Sequence, residues 1–145
     1  MILTTKGRYA VMAIIDLLEE TITPSETKPV PLLSIAKRQN LSLSYLEQIF
    51  SNLRKAGIVK SIKGPGGGYV LKKNPEEITI ADIISATGES IRMTGCGDKK
   101  DGCVMARNSA KSRCKTHDLW HGLEQNIHNY LSSISLKHFI KNENN

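Results

Sequence analysis

All three cysteines of this 145-residue chain fall in one short stretch, Cys96, Cys103 and Cys114, and His117 follows the last of them by three positions. Their surroundings are rich in Gly, Asp, Lys, Asn and Arg, so they do not read as core residues. Thiolates with one imidazole form a donor set that can hold an iron–sulfur cluster or, as three cysteines and a histidine, a zinc ion. The gaps of six and ten residues contain no Cys-x-x-Cys knuckle, which weakens the zinc reading. An odd number of cysteines argues against a disulfide framework. A single nucleophilic cysteine would leave the other two unexplained. His121 lies one helical turn after His117 and is a substitute ligand; His128 and His138 read as surface or interface residues.

A second group of residues has the chemistry to meet a polyanion. Between Lys37 and Lys73 there are eight Lys and Arg against Glu47 alone, a net of +7, whereas the whole chain carries +6. A basic excess confined to one segment is the electrostatic footprint of phosphate binding. Within it, Leu46, Ile49, Phe50 and Leu53 recur with the period of an amphipathic helix. The opposite face carries Ser44, Tyr45, Gln48, Asn52 and Lys55, side chains of a length suited to base edges or phosphates. Ser44 and Glu47 stand in the spacing of a capping box, which predicts that Glu47 reaches back to a backbone N–H. The sharper alternative puts Glu47 against a cytosine amino group, or uses its charge to reject wrong sequences.

The elements that must position these residues follow from local rules. The helix ends at Gly57 after the cationic pair Arg54 and Lys55. Two β-prone runs, 58–62 and 69–71, are then joined by Lys63-Gly64-Pro65-Gly66-Gly67-Gly68. This loop joins two strands and matches neither phosphate-binding nor dinucleotide-binding glycine patterns, so it reads as a wing tip. Upstream, a first helix enters at Thr4-Thr5 with a threonine cap and buries Tyr9, Ala10, Ala13, Ile14, Leu17 and Leu18; Lys6 and Arg8 at its start can touch a phosphate. Residues 21–30 form a surface loop, Pro31 opens a second helix, and Leu32, Leu33, Ile35 and Ala36 supply its buried face. A turn at Gln39-Asn40 completes helix–turn–helix followed by a wing.

Downstream, residues 79–87 read as a short capped helix closed by Gly88. Residues 89–115 show little apolar periodicity, apart from a short helical pattern over 104–113. From His117 to about Ile134 a long helix places Trp120, Leu123, Ile127, Tyr130 and Ile134 on an a/d seam, the pattern of a dimerisation helix. Leu136, Phe139 and Ile140 dock a final turn. The division that follows is 1–88, a winged helix-turn-helix DNA-binding domain; 89–116, a ligand-bearing loop; and 117–145, a dimerisation helix and tail. The fold class is mainly α with a small β wing.

Size and composition exclude other classes. The longest nearly apolar stretch, Ala10 to Leu18, is short and contains Asp16, so no membrane span is expected. Nothing resembles a signal peptide, and a cytoplasmic protein with reduced thiols is expected. No nucleophile–base pair, phosphate loop or paired catalytic carboxylates point to an enzyme.

Four blocks carry a resemblance: Leu3-Thr4-Thr5-Lys6-Gly7-Arg8-Tyr9-Ala10, Ser42-Leu43-Ser44-Tyr45-Leu46-Glu47-Gln48, Gly64-Pro65-Gly66-Gly67-Gly68-Tyr69, and Cys114-Lys115-Thr116-His117-Asp118-Leu119-Trp120. Together they resemble the IscR family of iron–sulfur cluster regulators over nearly the whole chain. The resemblance implies a homodimeric winged-helix transcription factor holding one 2Fe–2S cluster per subunit through Cys96, Cys103, Cys114 and His117. It implies contacts to double-stranded promoter DNA from Ser42, Ser44, Tyr45, Glu47 and Gln48 of the reading helix, and from Lys63, Pro65 and Gly66 of the wing. It further implies a cluster supplied by the assembly machinery, and control, including repression, of cluster-assembly genes. A nitric-oxide or redox sensor of the same fold, or a zinc-stabilised DNA-binding protein, are the alternatives. The wing carries Lys63 where the family usually has arginine, and lysine lacks the planar fork that guanidinium offers.

Overall fold

The computed structural model describes residues 5–21, 27–89 and 115–140. In chain order these form α1 (Thr5–Thr21), α2 (Leu32–Gln39), α3 (Leu43–Lys55), β1 (Val59–Ile62), β2 (Gly68–Leu71), α4 (Ile80–Ala86) and α5 (His117–Ser133). Short 3₁₀ turns sit at Pro75–Glu77 and Leu136–Phe139. The fold is mainly helical with a two-stranded antiparallel wing, as the periodicities predict.

One core forms where the apolar stripes of the helices meet. Ala10, Ala13, Ile14, Leu17 and Leu18 of α1 pack with Ile35 of α2, the stripe Leu46, Ile49, Phe50 and Leu53 of α3, and Ile83 and Ile84 of α4. Each set repeats at three- and four-residue steps, so each helix turns one side inward. Leu33 departs from expectation: it is 50% exposed. Leu32, Ile35 and Ala36 already fill the inward face of α2, and a residue one step beyond Leu32 is rotated about 100° away from it.

The helix–turn–helix is set by the backbone between α2 and α3. Asn40 adopts the left-handed conformation (φ 53, ψ 47) and donates its N–H to the Ala36 carbonyl. Leu41 donates to the same oxygen at 2.9 Å. This reverses the chain in three residues and delivers Ser42 to the start of α3, whose far end closes at Gly57 (φ 77). The wing pairs Val59 with Leu71 and Ile62 with Gly68.

Val30 adds a third rung that local patterning assigned to loop. Its N–H and C=O exchange hydrogen bonds with Tyr69, both at 2.9 Å. A residue before proline is biased toward extended backbone once its neighbour Pro31 is in place, and Val30 lies one position before it. The approach is close enough that a Cβ on Gly68 would collide with the Val30 carbonyl.

The chain after α5 returns to the same core. Leu136 is fully buried and donates its N–H to the Ile78 carbonyl at 2.9 Å, while Ile80 donates to Ile134 at 2.9 Å. Lys137 pairs with Glu76 across the surface. Ile140 packs against the core, and Phe139 is left largely outside it. The end of α5 is therefore anchored, but no residue of the helix itself is buried. Along the expected seam Trp120, Leu123 and Ile127 are half-buried and Tyr130 is 66% exposed, with Leu119 at 61% beside it. Leu131 takes the core-facing position instead of Tyr130. Among the described residues no helix is long and apolar enough to cross a membrane.

Candidate nucleic-acid interface

Burying Leu46, Ile49, Phe50 and Leu53 turns the rest of α3 outward. Ser44, Glu47 and Gln48, at three- and four-residue spacing, are all exposed on one face. Ser42 is exposed at the N-cap, where its hydroxyl accepts from the Tyr45 N–H at 3.4 Å. The predicted capping box between Ser44 and Glu47 is not formed. Ser42 occupies the N-cap, so the third helical position belongs to Tyr45, and Glu47 is two places too far along to reach back. The Ser44 hydroxyl instead lies 3.0 Å from that of Ser42. Glu47 is thus released to face solvent between Ser44 and Gln48.

Tyr45 is half-buried and packs edge-on against Tyr9 of α1, with ring centroids 6.0 Å apart and planes at 85°. Its phenol is held above the ordinary tyrosine range, first by burial, then by the negative charge of Glu89 and by Tyr9. It stays a neutral donor at any working pH.

At the wing, Lys63, Pro65 and Gly66 are exposed at the tip. Gly64 (φ 99) and Gly66 (φ 75) hold conformations that side chains rarely adopt, and the Gly67 N–H closes the turn onto the Gly64 carbonyl at 2.9 Å. Lys55, Lys60, Lys72 and Lys73 are exposed nearby in sequence. The surface from the start of α3 to the wing is therefore polar and cationic.

One cation counted in the basic excess has another task. Arg38 donates from Nε to both oxygens of Asp16 at 3.1 Å and from Nη2 to Oδ1 at 2.6 Å, and Gln39 donates from Nε2 to Oδ2 at 2.8 Å. The Asp16 hydrogen bond raises the guanidinium above its ordinary value, a shift reduced by its own desolvation. Asp16 stands on the inward side of α1 among Ala13 and Leu17, so a charge inside an apolar stripe was the signal that a cation must come to it.

The model of the Rrf2 family, described as an iron-dependent transcriptional regulator, matches residues 3–142. The chain belongs to the Rrf2 family. It is 48% identical over 143 residues to the HTH-type transcriptional regulator IscR of Xenorhabdus nematophila, across 99% of this chain and 81% of that protein. The solved structure of T. potens IscR superposes with a TM-score of 0.71 at 35% identity, covering 94% of this chain and 84% of that one. CymR (YrzC), the global cysteine regulator of B. subtilis, gives a TM-score of 0.71 at 35% identity over 94% of both chains. This Rrf2-family protein is accordingly a winged-helix transcriptional regulator and not an enzyme, and the resemblance drawn from its four sequence blocks holds.

Of the predicted ligands in this Rrf2-family chain, Cys96, Cys103 and Cys114 lie outside the described residues, as does the short helix expected over 104–113. His117 is the first residue of α5 and is half-buried. Its ring stacks on that of His121, centroids 6.0 Å apart and planes at 9°, so the two imidazoles do share a face. His128 and His138 are exposed, and His138 Nδ1 lies 3.3 Å from the Ser135 N–H. Among the described residues no three His, Cys, Asp or Glu gather into a metal site.

Proposed function

We propose that this chain is a cytoplasmic, homodimeric regulator that reads promoter DNA with α3 and the wing and senses iron–sulfur cluster status through one 2Fe–2S cluster per subunit. The observation that carries the reading is the donor set: all three cysteines precede His117 within one stretch, and His117 opens the helix whose other end is anchored to the DNA-binding core. Three thiolates and an accessible, half-buried imidazole at a helix start fit such a cluster. Cys96, Cys103, Cys114 and His117 would hold it. When bound it supplies a redox-active, oxidisable centre, and a histidine ligand makes that centre less negative and more readily perturbed by protonation than four thiolates would.

The division of labour follows from the chain's own residues. Residues 1–88 read DNA, 89–116 carry the cluster, and 117–145 join two subunits through the seam of α5. On DNA, Ser44, Tyr45, Glu47 and Gln48 face base edges in the major groove, and Ser42 meets a phosphate at the helix start. Lys63, Pro65 and Gly66 enter the adjacent minor groove, where the glycine backbone permits close approach. The half-exposed Trp120, Leu123, Ile127 and exposed Tyr130 meet the same residues of a second copy, which gives two reading heads for two half-sites. Cluster supply comes from the assembly machinery, and the controlled genes, repressed among other modes, include those of cluster assembly.

The test is an anaerobic preparation of the wild-type protein and of Cys103→Ala, with absorption spectra and iron and acid-labile sulfide assays. Wild type should be reddish with about two iron and two sulfide per chain. Cys103→Ala should be colourless yet folded and dimeric. Zinc in a colourless wild-type protein would leave the DNA-reading half standing and make the site structural. Full cluster content in Cys103→Ala would remove that residue from the ligand set.

A further inference from the structure

A corner of the domain that the sequence did not single out joins three elements. The Glu89 carboxylate accepts a hydrogen bond from the backbone N–H of Gly7 at 3.0 Å, across 82 positions of chain. Gly7 lies in the first turn of α1, where N–H groups lack an intrahelical partner and negative charge is favoured. The fit is tight: a Cβ on Gly7 would stand 2.8 Å from Glu89 Oε2. Gly88 (φ 80) ends α4 and turns the chain so that Glu89 reaches α1. Two residues further along α1, about 200° round the helix from Gly7, Tyr9 meets Tyr45, the third residue of the reading helix.

We propose that Glu89 is a positioning residue for DNA reading: its carboxylate clasps the start of α1, so that Tyr9 seats Tyr45 and α3 presents Ser44, Glu47 and Gln48 to base edges in one orientation. The assignment rests on the DNA-reading function proposed above. Because phosphate contacts by lysines tolerate small rotations of α3 and base contacts do not, losing the clasp weakens specific binding selectively.

The experiment compares the full-length protein with Glu89→Ala and Gly7→Ala. Gly7→Ala keeps the carboxylate but displaces it, and it raises the helix propensity of α1, so it separates loss of the clasp from loss of fold. Binding is read by fluorescence anisotropy on a duplex selected from a random library by the unsubstituted protein, and on a scrambled duplex of equal length and composition. Both variants should weaken specific binding about fivefold while changing scrambled binding by less than about twofold. Combined with Tyr9→Leu, which removes the ring that seats Tyr45, Glu89→Ala should cost less than the product of the two single effects, since both act through that one contact. Specific binding retained by either variant, equal losses on both duplexes, or a fully multiplicative double variant would overturn the assignment. If the unsubstituted protein selects no duplex at all, the DNA-reading function falls and the role of Glu89 with it; normal selection with unaffected variants removes Glu89 alone.

Discussion

Removing the cation from a buried carboxylate should hurt this protein more than removing the carboxylate. Asp16 is 6% exposed and accepts from Arg38 and Gln39, whereas Arg38 is 37% exposed. In Arg38→Met, Asp16 keeps only the Gln39 amide, and an uncompensated charge remains on the inward face of α1 beside Ala13 and Leu17. Breaking a wholly buried pair in this way costs about 3–5 kcal/mol. Solvent screening at the exposed arginine lowers what the pair contributes, so about 2–3 kcal/mol is expected here. In Asp16→Asn the shape and one acceptor oxygen survive, and the guanidinium turns back to water, for about 1 kcal/mol. At roughly 2–4 °C per kcal/mol for a chain of this size, Arg38→Met should melt about 5–10 °C below wild type. The Asp16 hydrogen bond pushes the guanidinium's pKa upward, so no accessible pH discharges that partner and the difference should persist across the neutral range. Urea titrations followed by far-UV circular dichroism would measure it as a shift of midpoint at constant slope. Equal losses in the two variants, or a larger loss in Asp16→Asn, would refute the asymmetry; losses below about 0.5 kcal/mol in both would show that the clamp contributes nothing measurable.

Further outcomes follow from the interface. Specific DNA binding by the dimer should weaken about 2,000-fold between 50 and 200 mM salt if each of its two reading heads neutralises about three phosphates; a flat salt response would remove the role given to the exposed lysines. Glu47→Ala should widen the range of sequences selected from a random library and change stability by less than about 0.5 kcal/mol, because Ser42 rather than Glu47 caps α3. A stability loss with uniform weakening on every sequence would restore the capping role. Gly68→Ala should cost about 2–3 kcal/mol in thermal unfolding, since the new methyl meets the Val30 backbone and breaks two hydrogen bonds; a wild-type melting point would show that the third rung gives way freely.

What was legible before any coordinates were local periodicities and stop signals. The stripe 46–49–50–53, the cationic last turn of α3, the glycine at 57 and the glycine loop between two β-prone runs each depend on neighbours within a few residues. That is why the helix–turn–helix and wing appear where they were expected. The short helix before Gly88 follows the same logic, with Thr79 and Asp82 exchanging their capping bonds at 3.1 and 3.0 Å. Errors of register inside a correct element were also local. Leu33 was placed on the wrong side of α2 because four apolar residues were read as one face. Of the two readings of Glu47, the capping one fails because Ser42 and Ser44 compete for the same position, and only the backbone at Ser42 (φ −63, ψ 130) decides between them.

The sequence by itself determined the kind of element at each place, the clustering of soft ligands before His117, and the basic character of the segment from Lys37 to Lys73. Tertiary structure alone decided the pairings across long separations: Asp16 with Arg38, Val30 with Tyr69, Ile78 with Leu136, and Gly7 with Glu89. No local pattern encodes these, because each satisfies a polar group that becomes buried only when distant stripes have already packed together. Packing of the apolar faces fixes which backbone ends and charges meet.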